Sequence, residues 1–205
     1  IFVLPSQKAD LRMRIFNADG SEAEMCGNGI RCFARWAYEL GLVSTRRFSV
    51  ETGAGILYPE ILDDHRVRVD MGAPHLEAAV VPTTGFSGNP VVSEELVSST
   101  GSHYKVTCVS MGNPHNVIFT DDPYGLDLEK IGPGFENDPL FPERVNTEFV
   151  RLTGKNELTM RVWERGSGET WACGTGACAA AVAACENGLC EKGADILVKL
   201  RGGDL

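Results

Sequence analysis

The sequence predicts an α+β protein made of two pseudo-symmetric halves, each a sheet wrapped around one central helix. Three observations predict it: an internal repeat, extended segments on either side of each repeat's helix, and the small girth of the second helix. Shifting the chain by 147 positions lays residues 13–42 on 160–189 without a gap. The first copy reads MRIFNADGSEAEMCGNGIRCFARWAYELGL and the second MRVWERGSGETWACGTGACAAAVAACENGL. Met13/Met160, Arg14/Arg161, Glu22/Glu169, Cys26/Cys173, Gly27/Gly174, Gly29/Gly176 and Gly41/Gly188 are identical pairs, the signature of duplicated structure.

Each copy reads as strand, polar loop, helix. Met13–Phe16 and Leu158–Trp163 alternate side chains and hold β-formers, so they read as strands. Helices are expected from near Cys26 to about Leu40 and from near Cys173 to about Asn187, with Gly41 and Gly188 just past their ends, where the left-handed C′ position favours glycine. Ile30, Phe33, Ala34, Ala37 and Leu40 recur at spacings of three and four, which predicts one buried stripe. GACAAAVAAC is apolar nearly all round and is expected to be enclosed on most sides. Strands resume at Phe48–Thr52 and Ile196–Leu200. The halves are expected to span 1–76 and 77–205, meeting around His75–Pro82. Under the repeat, the counterpart of Met111–His115 would precede the first residue, and that of Arg66–Gly72 would follow Leu205. A strand-rich piece is therefore expected to be missing at each end.

Composition narrows the function. Nineteen Lys and Arg stand against 28 Asp and Glu, for a net charge of −9, so a nucleic acid is not expected as partner. No apolar run reaches the roughly 18 residues of a membrane span, and no basic-then-apolar leader opens the chain. Seven cysteines, at 26, 32, 108, 173, 178, 185 and 190, are an odd count and favour a reducing, cytoplasmic setting over a disulfide framework.

Cys26 and Cys173 each precede a helix start within a Cys-Gly-x-Gly turn. First-turn amides there have no intrahelical partner and carry the positive end of the helix dipole. Two consequences are expected: a lowered cysteine pKa, and docking of a substrate carboxylate on the amides of Gly27, Asn28, Gly174 and Thr175. One thiolate and one thiol flanking a Cα carbon would remove a proton from one face and deliver one to the other. The remaining cysteines lack this setting and read as packing residues. There is no C-x-x-C pair, so no metal site is expected. Gly174–Ala179 matches G-x-G-x-x-A, but no apolar strand leads into it, which argues against a dinucleotide site.

The motifs NADGSEAEMCGNGIRC, SMGNPHNVIF, ERVNTEFV and WERGSGETWACGTGACA closely resemble those of the diaminopimelate epimerases. The resemblance runs through essentially the whole chain. It implies two domains, each a curled, mostly antiparallel sheet around a central helix, and interconversion of LL- and meso-2,6-diaminopimelate without pyridoxal phosphate or any other cofactor, in lysine and peptidoglycan synthesis. Carried over by motif, it makes Cys26 and Cys173 the acid–base pair, and Asn17, Asn113, Asn146, Glu164 and Arg165 the side chains that hold a diamino diacid. Arg165 suits a distal carboxylate, and Glu164 with the Asn carbonyls suits ammonium groups. Family chains open with a Gly-Asn-Asp-Phe-type segment that this sequence lacks. His115 reads equally as a proton relay or as a residue closing the turn after Pro114. A homodimer stays open, as do a racemase for another amino acid and a ligand-binding relative that needs no thiols.

Overall fold

The computed structural model describes residues 1–16, 20–63 and 66–205. The chain divides into two compact units, Ile1–Ala73 and Pro74–Leu205.

In the first unit the strands are β1 (Phe2–Leu4), β2 (Leu11–Phe16), β3 (Glu22–Ala23), β4 (Val50–Thr52), β5 (Gly55–Ile61) and β6 (Val67–Asp70), with α1 (Gly27–Glu39) between β3 and β4. They form one sheet in the order β1-β2-β4-β5-β6, with β3 added on β2. Among the described residues of this unit, only the β2–β4 pairing is parallel. Along β2 the burial alternates, Leu11, Met13 and Ile15 facing inward, as a half-buried strand requires. Ile30, Phe33, Ala34 and Ala37 of α1 join Met13, Val50 and Leu57 in one core. Burying a side chain such as Ile30 or Phe33 contributes about 1.5–3 kcal/mol each. Leu40, the last member of the expected stripe, is instead exposed because it is the C-cap, where the chain leaves the helix face.

The second unit runs β7 (Glu94–Val97), β8 (His103–Ser110), β9 (Pro114–Phe119), a 3-10 turn (Pro123–Gly125), α2 (Leu128–Glu136), β10 (Asn146–Gly154), β11 (Glu157–Glu164), β12 (Gly168–Thr170), α3 (Gly174–Glu186), β13 (Leu197–Leu200) and β14 (Gly203–Asp204). The sheet order is β14-β13-β11-β10-β9-β8-β7, with β12 on β11. The β9–β10 and β11–β13 pairings are parallel and the others antiparallel. Helix α3 lies on β8, β9, β10 and β11, whereas α2 contacts β10, β11 and β12. Phe149 and Trp163 share a core with Leu128 and Phe135 of α2, while Glu148, one residue away, meets the first turn of α3. Successive strand residues point to opposite faces, so the two helices cover opposite faces of this sheet. No residue of α3 is exposed, as its composition predicts.

The repeat survives in the hydrogen-bond register. Val3 pairs with Met13, and Val150 with Met160. Ile15 and Phe16 pair with Ala23 and Glu22, and Val162 and Trp163 pair with Thr170 and Glu169. Arg14 grips Glu22 through two bonds of 2.8 and 2.7 Å, and Arg161 grips Glu169 through two of 2.8 and 2.9 Å. Both helices end alike, with Gly41 at φ 69° and Gly188 at φ 70°, a left-handed conformation that would strain any residue with a Cβ.

Candidate active site

Each cysteine of the repeat is the N-cap of its helix. Cys26 has extended backbone at φ −142°, ψ 114°, and its sulfur accepts from Gly29 N at 3.3 Å. Cys173 is at φ −128°, ψ 115° and accepts from Gly176 N at 3.3 Å. Sulfur thus occupies the place of the oxygen of a Ser or Asp cap. In both copies Gly three residues on brings the helix close: a Cβ at Gly29 or Gly176 would lie 3.2 or 3.3 Å from the cysteine Cβ. Gly27 and Gly174, the first residues of α1 and α3, place no side chain over the first turn. Asn28 accepts from the Arg31 guanidinium at 2.7 Å, which holds its side chain to α1.

The surroundings of Cys173 are built from four elements. Its sulfur lies 3.3 Å from Thr175 Oγ1, and Thr175 Oγ1 accepts from Asn113 Nδ2 at 3.3 Å. Asn113 Oδ1 is 3.0 Å from His115 Nε2, and His115 Nδ1 is 2.7 Å from Glu148 Oε1. The side chains of His115 and Glu148 are both fully buried. Gly176 makes room for this carboxylate, since a Cβ there would stand 2.6 Å from Glu148 Oε1. Glu164, on β11, reaches both the Thr170 hydroxyl and the Cys173 thiol.

This setting overturns the expected lowering of the Cys173 pKa. Burial is the largest effect and raises it well above the ordinary thiol value, with the Glu164 and Glu148 carboxylates adding to the rise. Hydrogen bonds from Thr175 and Gly176 oppose them and lose. The dipole of a helix terminus is worth at most ~2 kcal/mol, whereas full desolvation moves a pKa by up to about 3–5 units. Cys173 is therefore a thiol in this state. Burial likewise raises Glu164, with a further push from Glu148.

Of the other sequence-predicted residues, Asn146 is buried and spends its amide on the protein. Its Nδ2 donates to Pro114 O at 2.8 Å, and its Oδ1 accepts Arg165 N at 2.9 Å. The Arg165 guanidinium donates to Glu143 O at 3.2 Å. Asn113, Asn146, Glu164, Arg165, Cys173, Gly174 and Thr175 thus gather at one end of the second unit's sheet. Cys26, Gly27 and Asn28 form the N-terminus of α1 in the first unit, and Asn17 lies outside the described residues. Glu148 is not among the residues that the sequence singles out. Its signal is a carboxylate inside the otherwise buried run Asn146–Val150, a place acidic residues occupy only when paired.

A family model for diaminopimelate epimerase matches residues 1–77 and 107–205. The chain belongs to the diaminopimelate epimerase family. The diaminopimelate epimerase of Moorella thermoacetica is 55% identical over 209 residues, taking in 100% of this chain and 74% of that protein. That of Agathobacter rectalis is 53% identical over 214 residues, with the same shares. Among solved structures, a probable proline racemase from Agrobacterium radiobacter K84 matches 98% of this chain and 64% of its own with a TM-score of 0.71 at 15% identity. A hydroxyproline epimerase from Agrobacterium vitis matches 98% and 62% with a TM-score of 0.69 at 15% identity. At that identity the structural matches establish the shared two-sheet α+β fold of this diaminopimelate epimerase family member, as the sequence predicts. Among the described residues, no helix is long and apolar enough to cross a membrane.

Proposed function

We propose that the chain carries the catalytic apparatus of an isomerase that interconverts LL- and meso-2,6-diaminopimelate without pyridoxal phosphate, serving lysine and peptidoglycan synthesis. The observation that carries the reading is the repeated N-cap cysteine, Cys26 on α1 and Cys173 on α3, each followed by a glycine turn. Family membership and about half-identical relatives support the substrate.

In this reading the substrate's α-carboxylate docks on the first-turn amides, Gly27 and Asn28 from one helix and Gly174 and Thr175 from the other. Those amides stabilise the charge that develops on the carboxylate as the Cα proton leaves. Cys173 enters as the acid, because burial and two carboxylates keep its proton on, and Cys26 takes the α-proton from the opposite face. Delivery of the Cys173 proton to the carbanion inverts the centre, and the roles exchange for the reverse reaction. Arg165 takes the distal carboxylate, while Glu164 and the Asn carbonyls take ammonium groups. Asn146 acts at one remove, by holding the Arg165 backbone. The odd count of seven cysteines suits a cytoplasmic enzyme.

The test is exchange of the substrate α-proton with deuterated solvent. Deuterium enters diaminopimelate but not monocarboxylic amino acids if the reading holds. Exchange of proline or another monocarboxylic amino acid in its place would make the chain a racemase of different specificity, and no exchange of any amino acid would leave a binding protein.

A further inference from the structure

Glu136 has no part in the chemistry above, yet it is an acidic side chain placed in the core. It is only 8% exposed. Burying a carboxylate is costly unless its oxygens are hydrogen-bonded, and here both are. Oε2 accepts from the Trp163 indole Nε1 at 2.8 Å. Oε1 accepts from the Gly166 backbone N at 2.9 Å and from Arg144 Nη1 at 3.0 Å. Every partner is a donor, which only an acceptor-only group can satisfy.

The partners bracket the Glu164–Arg165 pair, Trp163 immediately before it and Gly166 immediately after. A second, independent feature makes the same seat. Gly132 lies one helical turn before Glu136, on the same face of α2. A Cβ at Gly132 would fall 2.2 Å from Trp163 Cδ2, so the bare helix backbone is what lets the indole lie flat and reach Glu136. Two further anchors come from the chain beyond α2, where Asn146 Oδ1 takes Arg165 N and Glu143 O takes its guanidinium. Both of these bonds are to Arg165. The residues on either side of the pair are held by Glu136.

We infer that Glu136 is the positioning residue of the Glu164–Arg165 pair, fixing from α2 the hairpin turn that presents both to the substrate. The inference deepens the proposed function and rests on it for the meaning of Glu164 and Arg165.

Glu136→Gln tests it, because the amide nitrogen must then face either the Trp163 donor or the Gly166 and Arg144 donors, and at least one bond is lost in a near-isosteric side chain. Two measurements on the whole chain keep this inference and the proposed function apart. Hydrogen–deuterium exchange needs no substrate: the amides of residues 164–168 are expected to exchange about tenfold faster, with β10 and α3 unchanged, since only a local opening is made easier. Steady-state epimerisation of diaminopimelate is expected to show KM raised about tenfold and kcat altered less than about threefold, the pattern of lost substrate holding. Trp163→Phe, which keeps the carboxylate and removes one donor, is expected to show the same pattern more weakly, and it replaces Glu136→Gln if that variant does not fold. Unchanged exchange in the turn overturns the inference, as does faster exchange spread evenly over β10 and α3, or faster exchange with unchanged KM. If the unaltered chain does not epimerise diaminopimelate, the proposed function fails, and the exchange pattern alone decides on Glu136.

Discussion

Gly29 and Gly176 occupy matched places in the repeat, yet alanine at the two is expected to behave differently. Each is the third helical residue after a cysteine cap, so each substitution gains similar helix propensity, up to about 1 kcal/mol. Each new methyl also crowds its own cysteine to a similar degree, 3.2 Å from Cys26 Cβ and 3.3 Å from Cys173 Cβ. The difference lies in the third neighbour. At Gly29 it is Ile1 Cδ1 at 2.9 Å, the tip of a side chain that is 59% exposed and free to swing. At Gly176 it is Glu148 Oε1 at 2.6 Å, on a fully buried carboxylate already bonded to His115 at 2.7 Å. That group can retreat only by breaking its bond or shifting β10, and overpacking of this kind costs about 1–3 kcal/mol. Gly176→Ala is therefore expected to be less stable than Gly29→Ala by about 1–3 kcal/mol, read from urea unfolding of both variants. Because the methyl also presses on Cys173 Sγ from 3.2 Å, epimerisation should fall by up to about 100-fold, the effect of an ångström's misplacement. Equal stability of the two variants, or a more stable Gly176→Ala, would refute the claim that Glu148 is locked beneath the first turn of α3.

Cys26→Ser and Cys173→Ser are each expected to abolish epimerisation nearly completely, since a serine hydroxyl is a poor acid and base near neutral pH. Elimination from a β-halogenated analogue, which needs only one base, should partly survive in both with opposite stereochemical preference, and a variant silent in every reaction beside a near-normal one would instead mean a single base. Burial pushes the Cys108 thiol up to about 12 from 9.0, so its folded form keeps a proton that the unfolded chain releases. That contribution to stability is whole below pH 9 and is lost as pH rises towards 12, at about 1.4 kcal/mol per pH unit; Cys108→Ala should flatten the alkaline fall in unfolding free energy, and an unchanged slope would contradict it. Glu169→Gln should cost up to about 3 kcal/mol, because Arg161 and Glu169 are only 10% and 12% exposed and a largely buried cation would lose its partner. Its repeat mate Glu22→Gln should change thermal stability little, Arg14 and Glu22 being 38% and 44% exposed.

The contrast between matched positions also explains what the sequence discloses and what it does not. Strands, helices, caps and the Arg–Glu grips follow from local spacing, and each copy carries the same local spacing. Hence the 147-residue offset reappears as the pairings Val3–Met13 and Val150–Met160. Burial does not obey the repeat. The same Cys-Gly-x-Gly turn is half-buried at Cys26 and buried at Cys173, because what lies over the second turn comes from β9, β10 and β11. The bonds that decide the chemistry there span 33 residues from His115 to Glu148 and 62 from Asn113 to Thr175, and no short-range pattern encodes them. A capped thiol can be recognised from four residues, but its pKa is set by burial first and by carboxylates second, and only the sheet supplies either. The helix terminus argued for a lowered pKa at each cap, and at Cys173 burial, with the Glu164 and Glu148 carboxylates adding to it, reverses that. Two cysteines in the same local frame therefore sit in different surroundings, because the repeat copies the turn but not what the sheet lays over it.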